Sequence, residues 1–172
     1  MRRVVVTGVG VVSAIGNDKA EVVRSLKECC SGIQFIPEMR EMGFRCQVAG
    51  RVKGLDTSHV GKRPLLSISD VAKYAAVATL EALEDAQLPL EALPTFKLGV
   101  VVGGSFGGIN EVWRVHQSVA KHKSLARVGA TGLVKIMHST ASGNLASWLK
   151  VQGRAYSLCS SSCSGVDNIG HA

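Results

Sequence analysis

The sequence lacks several features that mark particular classes of protein. It has no apolar run of membrane-spanning length, and only 5% of its residues are aromatic. It contains no CxxC pair and no two histidines at metal-ligand spacing, so we expect neither a structural zinc ion nor another metal. No basic run alternates with aromatic residues, which argues against nucleic-acid binding. We therefore expect a cytoplasmic protein that binds neither membranes nor nucleic acids.

Composition then limits the size and the partners of the protein. At 172 residues, with 46% apolar and 19% charged residues, the chain suits one globular domain or a large piece of one. Its net charge of +7 favours an acidic protein partner or a phosphate-bearing ligand. The five cysteines are odd in number and lack the spacing of a disulfide framework, which predicts reduced thiols. The last residues carry no helix cap, so we expect a piece of a longer domain.

The first residues predict a buried strand followed by a glycine-containing loop. Residues 3–7 are rich in valine, and residues 8–16 contain the pattern G-x-G-x-x-S. A signal peptide is another interpretation of this start, but Thr7 and Gly8 interrupt the apolar stretch. A dinucleotide-binding loop requires a helix at once, whereas the first helix cap is Asp18. We favour a structural loop and keep a dinucleotide-binding domain as the weaker alternative.

Strands alternate with helices along the rest of the chain. Ser67, with Asp70 three residues later, forms a capping box before a helix with a small-residue face. The residues of that face are Val71, Ala75, Ala78 and Ala82, and a second such face consists of Ala141, Gly143 and Ala146. The predicted helices are 18–28, 71–86 and 133–150, and the later strands are 46–52, 98–102 and 156–159. This order predicts an α/β fold with a mostly parallel sheet and helices on both faces.

The most informative stretch is residues 155–165, which read AYSLCSSSCSG. They predict a buried strand that breaks into a turn of small polar residues and opens a helix. Such a turn exposes one hydroxyl or thiol beside the first helix amides, which stabilise negative charge. A buried turn without chemistry is the plain alternative. The glycine-rich residues 103–108 predict either a strand exit that needs positive φ, or a wall beside this turn with Phe106 as a hydrophobic gate.

Four separate motifs make a family recognisable. They are RVVVTGVGVVSAIGN at residues 3–17, SGI at 31–33, KIM at 135–137, and the stretch from YSL at 156–158 to Ile169-Gly170. Together they resemble β-ketoacyl-acyl-carrier-protein synthases, most closely the synthase I branch. The resemblance covers residues 1–172 and corresponds to the N-terminal portion of such a synthase, with the C-terminal half absent. It implies the N-terminal αβαβα half of a thiolase-like fold, which dimerises through the strand before the nucleophile.

The resemblance also implies a reaction. In this family an acyl chain is loaded onto a cysteine, and malonyl-carrier protein then adds two carbons by decarboxylative Claisen condensation, in fatty-acid or polyketide biosynthesis. The phosphopantetheine of an acidic acyl carrier protein carries the substrates, and no other cofactor is implied. Two assisting histidines lie in the C-terminal half of such synthases, and none of the five histidines here matches them.

The nucleophile position departs from the family. Counting forward from Tyr156 or back from Ile169, it falls on Ser162, while Cys163 is one residue late. A neutral hydroxyl is a far poorer nucleophile than a thiol and needs an adjacent base, so we expect acyl transfer to be crippled. Three explanations stay open: an engineered serine trap, a natural chain-length-factor-like partner in a synthase heterodimer, or a register shift that brings Cys163 into use.

Further residues follow from the resemblance by analogy. It implies that Phe106, Met137 and Ser139 line the acyl tunnel or the adjacent dimer contact, in a homodimer or a synthase heterodimer. It also implies that the carrier protein docks on basic surface, for which the candidates are Lys62, Arg63, Lys121, Lys123 and Arg127. Ordinary solvated charge is the alternative for each of these five residues.

Overall fold

The computed structural model describes residues 3–61, 68–95 and 97–172, and the chain divides into two compact units. The first unit contains the chain up to Thr57 together with Val77–Gln87, and the second contains Ser58–Ala76 and Leu88–Ala172. The α-helices are α1 (Lys19–Lys27), α2 (Pro37–Glu41), α3 (Asp70–Asp85), α4 (Ile109–His122), α5 (Ala130–Ile136), α6 (Ser139–Trp148) and α7 (Ser164–His171). The strands are β1 (Ile33–Phe35), β2 (Val48–Gly50), β3 (Val100–Gly103) and β4 (Ala155–Leu158), and 3₁₀ turns span Ser58–Val60, Leu90–Thr95 and Ser161–Cys163.

In the first unit, α1 begins where the sequence predicts. Asp18 is extended, and its Oδ1 accepts a hydrogen bond from the Glu21 amide at 2.7 Å, which caps the helix. Cys29, just after the helix, has a left-handed φ of 53°. Strands β1 and β2 form an antiparallel pair, so the predicted strand 46–52 is confirmed in its central residues only.

The N-terminal segment is extended but forms no strand. Residues 3–7 pair with no strand in the part of the chain that the structure describes. The side chains of this segment are open to solvent, since Val4, Val5 and Val6 are 92, 69 and 80% exposed. The strand predicted here is therefore wrong. Valine favours extended backbone, but a strand also needs a neighbouring edge to bond with.

The loop that follows packs on the C-terminal half of α3. A Cβ on Gly8 would overlap the Ala82 carbonyl oxygen, and one on Gly10 would overlap that of Ala78. The two glycines therefore serve close approach of loop to helix, which agrees with the structural-loop interpretation. Ala78 and Ala82 of the predicted small-residue face pack closely, as expected.

Carboxylates of α3 hold the same loop. Glu81 Oε2 accepts a hydrogen bond from the Val11 amide at 2.7 Å, and Asp85 Oδ2 accepts one from the Val9 amide at 2.9 Å. Asp85 also forms an ion pair with Lys19 at the start of α1. The loop and the two helices of this unit are thus joined by charge-assisted contacts.

Helix α3 begins at Asp70, and Ser69 caps it. The Ser69 hydroxyl accepts a hydrogen bond from the Ala72 amide at 3.4 Å. Ser67, the predicted capping residue, lies outside the described residues. The buried small residues at this end are Ala72 and Ala76, whereas Val71 and Ala75 of the predicted face are only partly buried.

In the second unit, β3 and β4 form a parallel pair with helices on both faces. Val102 packs on one face against a buried cluster of Ile68, Ala72 and Ala141. A Cβ on the next residue, Gly103, would meet Asn168 of α7. Successive strand residues point to opposite faces, so α7 lies opposite the cluster. The α/β fold is confirmed, with the correction that the pair in the first unit is antiparallel.

Two features between these strands differ from the sequence prediction. No helix was expected at residues 109–122, yet α4 forms there, with Glu111, Val115 and Val119 on its inner side. The predicted helix 133–150 is two helices, because Met137 is extended, with a ψ of 131°. Contacts with other parts of the unit accompany this break: the Ile136 carbonyl abuts Gly107, and His138 Nε2 lies 3.3 Å from the Val102 carbonyl oxygen.

The buried side of α6 differs from the predicted small-residue face at one position. Ala141 is 2% exposed, and Ser142 and Leu145 are also buried. Among the described residues, no neighbouring atom lies within 4 Å of a Cβ built on Gly143, so the close contact predicted for it is wrong. It lies about 200° around the helix from Ala141, since each residue turns 100°.

The surface of the chain has two general features. All five cysteines are free and exposed: Cys29, Cys30, Cys46, Cys159 and Cys163. No helix of the described residues combines the length and the hydropathy that a membrane crossing requires.

Candidate active site

The turn between β4 and α7, residues 159–164, is called the corner here. Ser161 has a left-handed φ of 57°, which is uncommon for a residue other than glycine. A 3₁₀ turn over Ser161–Cys163 follows, and α7 begins at Ser164. Ser162 and Cys163 are both exposed. The corner therefore presents residue 162 to solvent next to the start of a helix, as the sequence predicts.

Two hydroxyl groups converge on the Ser161 carbonyl oxygen. Ser105 Oγ and Ser164 Oγ each donate a hydrogen bond to it at 2.6 Å. Ser164 Oγ also accepts a hydrogen bond from the Ser160 amide at 3.0 Å. On the other side of the turn, Cys159 Sγ lies 3.7 Å from the Ser105 carbonyl oxygen. Ser105 thus contacts the corner through both its side chain and its backbone.

Asn168 ties the end of β4 to the first turn of α7. Its Oδ1 accepts a hydrogen bond from the Leu158 amide at 3.3 Å, and its Nδ2 donates to the Leu158 carbonyl at 3.0 Å. The same Nδ2 donates to the Ser164 carbonyl at 2.6 Å. Ser164 and Asn168 are only 2 and 5% exposed. Sequence reasoning missed both, although polar residues four apart at the start of a helix are a readable signal.

Residues 103–108, here the glycine loop, lie beside the corner. None of its glycines has a positive φ, so the strand-exit explanation by positive φ is wrong. Close backbone approach explains them better, because a Cβ on Gly103 would overlap the Asn168 amide and one on Gly107 the Ile136 carbonyl. Phe106 is 72% exposed at the tip of this loop. The wall beside the corner is thus present, with an exposed phenyl ring.

The break between α5 and α6 lies against the same loop. A Cβ on Gly107 would come within 2.9 Å of the Met137 carbonyl carbon, so Met137 and the loop of Phe106 are neighbours. Met137 is 56% exposed, and Ser139 is exposed at the first position of α6. His138 between them turns inward, and its buried Nδ1 has no hydrogen-bond partner among the residues that the structure describes. No motif or spacing around His138 singles out this histidine.

Two cavities of the second unit are lined by other residues. The larger has a volume of ≈ 390 Å³ and is lined by Leu90, Glu91, Pro94, Trp148, Leu149 and Lys150. The smaller, of ≈ 10 Å³, is lined by Val60, Ile68, Ala72, Ala76, Asn144, Leu145 and Trp148. Neither lining includes Phe106, Met137 or Ser162.

Charged groups of the second unit fall into two sets. Lys121, Lys123 and Arg127 are exposed near the end of α4, and none forms an ion pair within residues 3–61, 68–95 and 97–172. Lys62 and Arg63 lie outside the described residues. Near the glycine loop, a hydrogen bond from Lys73 holds the pKa of Asp70 below its ordinary value, helped by Asn110. No group of three potential metal ligands occurs among the residues described.

Comparison with known proteins places the whole chain. Residues 1–172 match the family described as "Beta-ketoacyl synthase, N-terminal domain". The 3-oxoacyl-[acyl-carrier-protein] synthase 1 of Haemophilus influenzae is 36% identical over 172 residues, which are 100% of this chain and 42% of that protein. The enzyme of the same name from Escherichia coli is 35% identical over 174 residues, covering 100% of this chain and 43% of that protein. The chain therefore spans less than half the length of these relatives.

Solved structures show the same correspondence. A β-ketoacyl synthase from Burkholderia phymatum superposes with a TM-score of 0.82 at 26% identity, over 100% of this chain and 43% of that one. The ishigamide ketosynthase/chain length factor gives a TM-score of 0.79 at 24% identity, over 92% of this chain and 40% of that one. The second likeness concerns the fold alone.

Proposed function

Because this chain belongs to the β-ketoacyl synthase family, whose N-terminal domain residues 1–172 match, we propose that it supplies the nucleophile-bearing part of a β-ketoacyl-carrier-protein synthase. The family and its thiolase-like α/β fold agree with the sequence prediction. The proposed reaction is decarboxylative Claisen condensation of an acyl thioester with malonyl-carrier protein, in fatty-acid or polyketide biosynthesis. The corner carries this proposal, because it exposes residue 162 between a left-handed Ser161 and the start of α7.

The chemistry proposed for the corner is acyl transfer. The side chain of residue 162 attacks the thioester carbonyl of an acyl-phosphopantetheine, the thiolate leaves, and the acyl group remains on the protein. A thiol at this position would form a thioester, whereas Ser162 would form an oxygen ester and must first lose its proton to a base. Within the described residues, the Ser162 hydroxyl has no hydrogen bond to an imidazole or a carboxylate. We therefore propose that this chain transfers acyl groups poorly or not at all.

A non-catalytic role is the second candidate, in which the chain is a chain-length-factor-like partner of an active synthase. The hydroxyl at residue 162 favours it. The surface is suited to a partner, because β4 pairs only with β3 among the described strands and leaves one edge unpaired. Ile109 and Trp113 on α4 are 59 and 57% exposed. Homodimer and synthase heterodimer are the two proposed assemblies.

The other proposed roles follow the same family logic. Phe106, Met137 and Ser139 would line the acyl tunnel or the dimer contact, and the contact of Met137 with the glycine loop supports their grouping. Lys121, Lys123 and Arg127 would dock an acidic carrier protein, whose phosphopantetheine brings the substrate, with no metal involved. Lys62 and Arg63 stay candidates from the sequence. We also propose a cytoplasmic location.

A labelling experiment tests the assignment of the corner. The chain and its Ser162→Cys variant are treated with iodoacetamide or cerulenin, and the modified residues are identified by peptide mapping, with Cys163→Ala as a matched control in each background. We expect no cerulenin adduct at residue 162 or 163 of the unchanged chain, and an adduct at residue 162 of Ser162→Cys. A cerulenin adduct at Cys163 of the unchanged chain would move the nucleophile by one residue and overturn the Ser162 assignment.

Self-acylation then separates the two candidates. The chain and its Ser162→Cys variant are each incubated with a carrier protein that bears an acyl group. Mass spectrometry then measures whether the acyl group has been transferred to the chain. Acylation of the unchanged chain on Ser162 would favour an active synthase. No acylation, together with a stable complex with a cysteine-bearing synthase in size-exclusion chromatography, would favour the non-catalytic partner.

A further inference from the structure

We propose that the hydroxyl groups of Ser105 and Ser164 form a clamp that holds Ser161 in its left-handed conformation and thereby orients residue 162. This inference rests on the proposed role of the corner. Ser161 is neither glycine nor asparagine, so its φ of 57° has an energetic cost that the surroundings must offset. Its carbonyl oxygen accepts one hydrogen bond of 2.6 Å from each hydroxyl, in addition to the turn hydrogen bond from the Ser164 backbone amide.

The two donors come from different parts of the chain. Ser164 is close to Ser161 in the sequence. It is the first residue of α7 and is only 2% exposed. Ser105 lies 56 residues earlier, in the glycine loop, and its own carbonyl faces Cys159 Sγ at 3.7 Å. Ser105 therefore contacts the turn on two sides, at Ser161 and at Cys159. Through it, the position of the glycine loop is coupled to the geometry of the corner.

The orientation of residue 162 follows from that clamp. The Ser161 carbonyl belongs to the peptide plane that joins residues 161 and 162, so fixing its oxygen fixes the direction of the next amide and Cα. Ser105 is a positioning residue, because it contacts the backbone of Ser161 and no reacting atom. Releasing it would let the corner relax toward ordinary φ values and turn residue 162 away from its exposed position.

The test measures the reactivity of a thiol placed at the corner. In the full chain carrying Ser162→Cys and Cys163→Ala, the rate of iodoacetamide modification at residue 162 is followed by peptide mapping, with Cys46 as an exposed reference thiol. Adding Ser105→Ala removes one hydrogen bond and should slow modification at residue 162 by about two- to tenfold, with no change at Cys46. Ser105→Thr, which keeps the hydroxyl, should restore the rate. Ser160→Ala is the matched control, because its side chain makes no cap bond.

A glycine at residue 161 gives the sharpest check. Glycine adopts positive φ without steric cost, so Ser105→Ala should lose its effect when combined with Ser161→Gly. Hydrogen exchange of the amides of residues 160–164 is a second readout, independent of thiol reactivity, and Ser105→Ala should raise it. Unchanged exchange in Ser105→Ala overturns the clamp, whatever the alkylation rates. If residue 162 reacts no faster than Cys46 while exchange does rise, the proposed nucleophile position at residue 162 fails and the clamp stands.

Discussion

At the residue scale, Asn168 shows how one buried amide fixes the site. Its three hydrogen bonds join the last residue of β4 to the first turn of α7, and both ends of that junction frame the corner. Since Nδ2 points between two carbonyl oxygens, only a donor fits there. The residue is thus specified by hydrogen-bond direction as well as by size.

We predict that Asn168→Asp destabilises the protein in a pH-dependent way. A carboxylate oxygen would face the carbonyls of Leu158 and Ser164 in place of the amide donor, at a cost of about 2–3 kcal/mol near pH 7. Protonation of the new carboxyl restores a donor, so the loss should shrink as the pH falls toward 5. Urea unfolding of both proteins at pH 7 and pH 5 measures this. An equal loss at both pH values would contradict the role given to Nδ2.

At the residue scale, the sequence predicted the turn at the corner but missed residues beside it. A run of serines and cysteines after an apolar strand marks a turn locally, whereas the role of Ser162 in that turn stays a prediction. Ser105 and His138 act through contacts with residues far along the chain, and neither their composition nor their spacing reveals such contacts. The glycine loop was found, but close packing, and not positive φ, explains it.

At the element scale, glycines with different surroundings should respond oppositely to alanine. A Cβ on Gly10 would overlap the Ala78 carbonyl oxygen, so Gly10→Ala should destabilise the first unit by about 1–3 kcal/mol. Gly143 lies inside α6 with open space around it, so Gly143→Ala should stabilise the second unit by about 0.5–1 kcal/mol. Thermal unfolding of both variants shows whether each substitution raises or lowers the stability. Two changes of the same sign would contradict the packing described for one of the glycines.

The hydrogen bonds at the start of α3 should make the stability of the protein depend on pH. Asp70 accepts hydrogen bonds from Lys73 Nζ and Asn110 Nδ2, both at 2.8 Å, and its pKa is lowered from 3.8 in the folded state. A lowered folded pKa means stabilisation that is present above pH 3.8 and lost as the pH falls through the folded value. We expect Asp70→Asn to flatten the stability profile between pH 5 and pH 2, measured by urea unfolding. Asn110→Ala removes one of the two hydrogen-bond donors to Asp70 and should flatten the stability profile less. If it flattened the profile as much as Asp70→Asn, Asn110 and not Lys73 would be the main cause of the lowered pKa.

Elements with local signals were predictable, and elements set by packing were not. Asp18 caps α1 as expected, because a capping side chain needs only the next few amides. The strand at residues 3–7 was wrong because valine content says nothing about whether a neighbouring edge exists. Helix α4 was missed because the lysines and histidines of this segment made it look like a polar loop. The helical spacing of Val115 and Val119 was therefore overlooked. The break at Met137 depends on the sheet and the glycine loop, which the local sequence does not contain.

At the scale of the whole molecule, the chain has a net charge of +7, and we expect the basic residues near the end of α4 to dominate carrier-protein binding. We expect the combined change of Lys121, Lys123 and Arg127 to glutamate to weaken binding of an acidic carrier protein at least tenfold at low ionic strength. Affinity of the unchanged chain should fall steeply between low and physiological salt, because screening shortens the range of charge attraction. Titration calorimetry or fluorescence anisotropy at several salt concentrations measures both effects.

A matched variant controls for total charge. Arg24, Lys27 and Arg45 are exposed in the first unit, and changing all three to glutamate alters the net charge by the same amount. This control should weaken binding much less than the change near α4. Equal weakening by both variants would show attraction by overall charge, without a defined docking surface.

Every thiol of this chain is open to solvent, and that has a practical consequence for its assembly. Two molecules can form an intermolecular disulfide without unfolding, because an exposed cysteine of one molecule can reach an exposed cysteine of another directly. In air-exposed preparations, covalent crosslinks would then accumulate and imitate a natural oligomer. Stoichiometry measured for this protein will therefore follow its redox history unless a reductant is kept present throughout.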